Sequence, residues 1–113
     1  MSESCLFCRI ARKEIPSTMV FEDEDVYAFE DINPQAPTHV LVVPKSHVST
    51  LGDLGTQGAA LAGRWFSGVL KTAAHLDLGD YRVVVNNGEG GGQVVFHVHF
   101  HILAGRRFTW PPG

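Results

Sequence analysis

Cysteine is scarce in this chain, and its placement excludes a whole class of folds. The two present, Cys5 and Cys8, stand three positions apart. A disulfide between them would close a tiny loop and could not staple a secreted scaffold. Long apolar runs are also missing. The uninterrupted stretches are a few residues, against the roughly 20 that a membrane-crossing helix needs, so no membrane partner is expected. The start Met1-Ser2-Glu3-Ser4 has neither the basic opening nor the apolar core of an export signal. Together these features predict a cytoplasmic protein. Positive charge is in deficit too: 9 Lys and Arg against 12 Asp and Glu give a formal charge of −3. A protein held to nucleic acid by a broad positive field is therefore not expected. A small anion is still a feasible ligand, because backbone dipoles bind it without net positive charge.

What is present fits a single domain spanning 1–113. Hydrophobic residues at 44% and charged residues at 19% lie near the globular average, and a chain of this size buries about 65% of its unfolded surface. Leu6 to Ile15 has near-helical apolar spacing and is stopped by Pro16, which predicts a short helix with both cysteines on its first turn. Met19–Phe21 and Val26–Phe29, separated by the acidic turn Glu22–Asp25, predict a hairpin. His39–Val43 is a β-branched run ended by Pro44, as in a strand buried on both faces. Leu61, Trp65, Val69, Ala73 and Leu76 mark an amphipathic helix from about Gln57 to Leu76. Tyr81–Val85 and a last run from about Val94 to Leu103 complete the strands. The result is an α+β fold: a mostly antiparallel five-stranded sheet with one long and one short helix.

The segment richest in chemistry is His97-Val98-His99-Phe100-His101-Ile102-Leu103. Alternate side chains of a strand share a face, so the imidazoles stand on one side while Val98, Phe100 and Ile102 point to the other. An exposed polar face or a row of metal ligands would also produce such a pattern. Gly88-Glu89-Gly90-Gly91-Gly92-Gln93 enters this strand, and glycines let successive amides turn toward a phosphate without a side chain in the way. A neutral histidine attacks phosphorus when one ring nitrogen keeps its proton on a carbonyl and the other offers a lone pair. His99 is the central member. Cys5-x-x-Cys8 read alone is open among zinc binding, redox chemistry and two ordinary thiols. His39, at a strand start, and His75, near a helix end, read as structural.

The imidazole segment resembles the His-x-His-x-His signature of the histidine-triad nucleotide-binding superfamily. Arg12–Pro16, Phe29–His39, Val43-Pro44-Lys45-Ser46-His47 and Trp110-Pro111-Pro112-Gly113 are similar to its Hint branch in particular, a group of homodimeric purine nucleoside phosphoramidases. The resemblance implies that His99 forms a covalent nucleotidyl intermediate and that His101 contacts the phosphate. It further implies that Asp31 binds the ribose hydroxyls, that Ile32 lines the base pocket, and that Asn86, Gly92, Gln93 and Val94 hold phosphate and ribose. The ligand would be a purine nucleotide of the AMP or GMP type, with no organic cofactor.

Relatives with a similar Cys-x-x-Cys imply a structural zinc on Cys5, Cys8, His47 and His97. In one respect the chain departs from the pattern. Where Hint enzymes often carry a serine, Val94 offers only its backbone amide, which bears on activation of the leaving group. Two other functions fit the same signature: hydrolysis of dinucleoside polyphosphates, and nucleotide-dependent regulation with little turnover.

Overall fold

The computed structural model describes residues 4–113. Met1–Glu3, which enter the reading of the chain start above, lie outside the described residues. The element order is α1 (Leu6–Ala11), β1 (Met19–Glu22), β2 (Val26–Glu30), β3 (Thr38–Pro44), α2 (Leu51–Leu54), α3 (Ala59–His75), β4 (Tyr81–Val84) and β5 (Phe100–Ala104). The strands form one five-stranded sheet in the order β1-β2-β3-β5-β4, with every pairing antiparallel. Among the described residues no helix is long and apolar enough to cross a membrane.

The alternation along the central strands divides the sheet into two faces. Val26, Ala28, Val40, Val42, Phe100 and Ile102 point to one side, where they pack with Trp65 and Val69 of α3. Tyr27, Phe29, Leu41 and Val43 point to the other and meet Phe7 and Ile10 of α1. Leu41 lies directly opposite His101 across the β3–β5 ladder, so the imidazoles emerge on the thin, α1 side. The thick side supplies most of the buried apolar surface, and the thin side leaves room for a site.

Three sequence expectations need correction. α1 stops at Ala11 and does not reach Ile15. Its end is a helix-closing turn in which Glu14 N–H donates to Arg9 C=O and Lys13 N–H to Ile10 C=O, both at 2.9 Å. Such a turn needs a left-handed residue, and Lys13 takes it at φ 66° without the usual glycine cue. α3 begins at Ala59 because Gly58, at φ 91°, breaks the backbone ahead of it, and Gly55–Gln57 are a separate 3₁₀ turn after α2.

The last strand is also shorter than expected. Ladder pairing runs only over Phe100–Ala104, while 94–99 have none. In register, the next positions of β3 would be Val43 and Pro44. Proline has no N–H to give, its carbonyl accepts from the His97 ring at 2.8 Å, and Val98 N–H turns to Val48 C=O at 2.7 Å.

Packing between α3 and β2 makes a test of this fold. Gly68 is buried in α3, and a Cβ there would lie 2.6 and 2.7 Å from the two γ-methyls of Val26. Alanine normally stabilises a helix interior by about 1 kcal/mol over glycine, but overpacking at a rigid β-branched partner costs about 1–3 kcal/mol. The steric effect should win. Gly68→Ala is expected to lower the urea midpoint; an unchanged or higher midpoint would show that α3 can shift off the sheet.

Candidate functional site

The thin side of the sheet carries two contiguous polar groups, with His99 between them. The first consists of Cys5, Cys8, His47 and His97, whose sulfur and ring-nitrogen atoms all lie within 4.8 Å of one another. Helix start and strand end bring them together: Cys5 caps α1, its Sγ accepting from Cys8 N–H at 3.3 Å. His97 donates its Nε2–H to Pro44 C=O, so its Nδ1 carries a lone pair and faces the group. Around that Nδ1 stand Cys5 Sγ at 3.3 Å, Cys8 Sγ at 3.4 Å and His47 Nδ1 at 3.2 Å. Cys8 Sγ and His47 Nδ1 are 3.3 Å apart.

These separations can be compared with a tetrahedral zinc centre. Zn–N near 2.05 Å and Zn–S near 2.3 Å put neighbouring donors roughly 3.3–3.8 Å apart. The donor set and spacing therefore fit a zinc ion, and the Pro44 carbonyl supplies the outer hydrogen bond that orients a ligating imidazole. Burial is the main factor pushing the Cys8 thiol up to about 11, with the neighbouring Cys5 adding to it. A bound cation would have to displace that proton.

Next along the chain, His99 donates its Nδ1–H to the carbonyl of His97 at 2.8 Å. The bond leaves Nε2 unprotonated, as an attacking nitrogen must be. The imidazole is buried, and burial holds it below the ordinary histidine value, so it is neutral at pH 7. Its plane is fixed by Phe7 of α1, whose ring meets it edge to face at 4.9 Å and 81°.

The second polar group is Asp31, His39 and His101. His39, read from the sequence as structural, is buried and bonded on both ring nitrogens. Gln35 N–H donates to His39 Nδ1 at 3.0 Å, so the His39 proton sits on Nε2. That Nε2 lies 2.9 Å from His101 Nδ1 and 3.4 Å from an Asp31 carboxylate oxygen. His101 Nδ1 is then the acceptor, and its own proton is carried on Nε2. Although one carboxylate and two imidazoles within 4.8 Å match a metal-binding composition, the proton fixed on His39 Nε2 occupies the position a ligand lone pair would need. The hydrogen-bonded chain is therefore favoured over a metal here. No local pattern in the sequence marks His39, because its partners come from the next strand across.

The remaining predicted residues lie beside these groups in sequence or in contact with one another. Asp31 accepts Asn33 N–H on Oδ1 at 2.8 Å, which fixes its carboxylate, while Ile32 beside it is fully exposed. Ile32, Ile10 and Phe29 border a cleft of about 390 Å³. Asn86 packs over Gly92.

The glycine loop is more ordered than its composition suggests. The amides of Gly91, Gly92 and Gln93 close on the carbonyls of Gly88 and Glu89 at 3.0–3.1 Å. Gln93 is buried; its side chain accepts from Gly88 N–H at 2.8 Å and donates to Ser49 and Val95 carbonyls at 2.6 and 3.0 Å. In this arrangement Gln93 braces the loop, while Val94, 85% exposed, follows it into solvent.

A family model described as the HIT domain matches residues 12–108. The chain is 47% identical to an uncharacterized HIT-like protein of Synechocystis sp., over the full length of both. It is 46% identical to a 14 kDa zinc-binding protein of Zea mays, over 96% of this chain and 87% of that one. A crystal structure of a HIT family hydrolase from Legionella pneumophila superposes with a TM-score of 0.90 at 48% identity, covering 97% of this chain and all of that one.

The buried imidazoles generate a pH dependence of stability. Burial, with the neighbouring His99 and His39, lowers His101 to about 4, whereas an unfolded histidine titrates near 6.5. Between these values the unfolded chain binds more protons, so stability falls as pH drops from about 6.5 to about 4 and the loss levels off below. His101→Asn is expected to flatten part of this slope in urea melts. An identical slope would contradict the burial of a neutral His101.

Proposed function

The chain belongs to the HIT domain family, and from that premise we propose that it hydrolyses the phosphorus–nitrogen bond of purine nucleoside 5′-phosphoramidates. The observation that carries this reading is the assigned protonation of two adjacent imidazoles. His99 offers a lone pair on Nε2, and His101, 5.1 Å away between ring centres, offers an N–H donor at its Nε2.

In the first step His99 Nε2 forms a bond to phosphorus as the P–N bond breaks. The P–N electron pair stays on the departing nitrogen, which takes a proton from solvent water, while the single Nε2–H of neutral His101 donates a hydrogen bond to a phosphoryl oxygen. In the second step water forms the new P–O bond, the P–Nε2 bond returns its pair to His99, and the proton that water loses neutralises the hydroxide left by the first step. His39 is a positioning residue in this scheme, holding His101 in the tautomer that donates from Nε2. Val94 brings no hydroxyl, so no side chain at this position protonates the amine, and the proton comes from solvent. Asp31 receives the ribose hydroxyls, Ile32 with Ile10 and Phe29 receives the purine, and Asn86 and the braced loop 88–93 border the phosphate.

A dinucleoside polyphosphate would engage the same nucleophile, and a regulator would bind without turnover. The similarity to a HIT family hydrolase favours an enzyme. We also infer a homodimer, supported by exposed Phe66 and Leu70 on α3 and by the unpaired edge of β4.

A zinc ion held by Cys5, Cys8, His47 and His97 would have four protein ligands, so it would brace α1 against the sheet and supply no chemistry to the reaction. Purified protein is expected to hold about one zinc per chain, and chelation to lower its melting temperature. Metal-free protein melting at the same temperature would remove the zinc proposal alone.

The nucleophile has its own test. His99→Asn should abolish release of amine from adenosine 5′-phosphoramidate, while affinity for the monophosphate changes far less than turnover. Rapid quenching of wild type should trap an adenylyl label on His99. Substantial turnover by the variant, or a label elsewhere, would refute the assignment.

A further inference from the structure

The basic side chains of the chain divide by partner. Six of the 9 Lys and Arg residues, namely Arg9, Arg12, Lys13, Lys45, Arg64 and Lys71, form ion pairs with carboxylates. The others are Arg82, Arg106 and Arg107. None of these pairs with a carboxylate among the described residues, and all three line one cleft of about 600 Å³ together with Tyr81 and Phe108. The chain as a whole has a formal charge of −3, so this corner runs against its average. Asp80 is the only carboxylate among the lining residues, which leaves the cleft an excess of positive charge.

Two of the guanidiniums are fixed in place. Arg82 donates from Nη2 to Thr109 C=O at 2.9 Å. Arg106 donates from Nε to Gln35 C=O at 3.1 Å and from Nη1 to Arg107 C=O at 3.2 Å. Both also lie over the Phe108 ring, 5.2 and 4.2 Å from its centre. These carbonyls take only part of each guanidinium's donors. The N–H groups left over are aimed in advance, so a ligand that meets them orders little further side chain.

The cleft is separate from the site at His99. Its lining shares no residue with the two polar groups or with the cleft at Ile32. Arg82 stands opposite Leu103 in the β4–β5 ladder, two residues on from His101, so its side chain leaves from the α1 side of the sheet. Strand pairing along the β4 edge would use the backbone and leave that face open.

Planar guanidinium forks match the oxygens of phosphate groups in pairs. The Phe108 ring is already covered by two guanidiniums, so it is not offered to a nucleobase. Three cations exceed what a single phosphate group needs. We propose that this cleft is a binding site for a chain of two or more phosphate groups, held through its oxygens by Arg82, Arg106 and Arg107.

The test is calorimetric titration of the purified protein at constant ionic strength, with adenosine monophosphate in excess to occupy the site at His99. About one inorganic tripolyphosphate is expected to bind per chain, at least about tenfold more tightly than orthophosphate. The Arg107 side chain holds no backbone carbonyl among the described residues, so Arg107→Gln removes charge without loosening the segment around Phe108. It should weaken tripolyphosphate binding by about tenfold. Arg82→Lys, which keeps the charge and loses the fork, should weaken it by less, and Arg64→Gln, remote from the cleft, should leave it unchanged. Adenosine triphosphate binding as tightly as tripolyphosphate, with the same dependence on Arg107, would support the same site, since the nucleoside is not read.

Absence of saturable tripolyphosphate binding would overturn the proposal, as would binding unchanged in folded Arg107→Gln and Arg82→Lys. An equal loss in Arg64→Gln would reduce the effect to general charge and overturn it too. Tighter, Arg107-dependent binding of a single-stranded oligonucleotide would overturn it in favour of a nucleic-acid surface. None of these outcomes bears on amine release at His99.

Discussion

His97 is engaged at three points, and the rest of the site depends on all three. Its Nε2–H is held by the Pro44 carbonyl, its Nδ1 lone pair faces two sulfurs and a second imidazole, and its backbone carbonyl receives the Nδ1–H of His99. The first bond sets the ring's tautomer. That tautomer makes Nδ1 a metal-competent donor, and the main chain that carries the ring fixes which nitrogen of His99 is free. A buried polar residue left unsatisfied costs about 1–3 kcal/mol, and His97 is fully buried. With every group partnered, the same burial becomes a rigid reference for its neighbour.

That reference explains why the strand gives up its ladder just before the nucleophile. Continued pairing of 98 and 99 with β3 would direct their backbone groups into the sheet. Pro44 prevents this, and the chain instead bonds to Val48 and, through the His97 ring, to Pro44 itself. The alternation of side chains survives without the ladder. Val98 is buried in the α3-side core, while His97 and His99 meet Phe7 on the α1 side. Extended geometry and regular pairing are thus separable, and the site uses the first without the second.

This separation also marks what the sequence could reveal. Period-two alternation through His97–His101 is a local property, so the shared face of the imidazoles was legible from spacing alone. Resemblance, not spacing, brought His47 to Cys5 and Cys8, and the side-chain geometry then made the group chemically specific. His39 was not legible, because its meaning comes from a neighbour 62 residues away and from a backbone amide at Gln35. The end of α1 was missed for a different reason: a lysine fills a left-handed position that usually advertises itself as glycine. Gln93 was legible as belonging to the loop, but its role as a brace depends on three backbone groups that no motif specifies.

The electrostatics of the site follow from the same burial. His97 is lowered to about 4 chiefly by desolvation, His101 likewise, and His99 is also lowered. A row of three charged imidazoles would repel one another and would have no lone pairs to offer. Kept neutral, the row can divide its labour by tautomer alone: His97 presents a lone pair to the cysteine group, His99 keeps one on Nε2, and His101 offers an N–H as a hydrogen-bond donor. Each assignment is made by a different partner, respectively Pro44, the His97 carbonyl and His39. Three identical side chains at equal spacing thereby acquire three different chemistries, and they do so because each ring's second nitrogen is bound to a different fixed group.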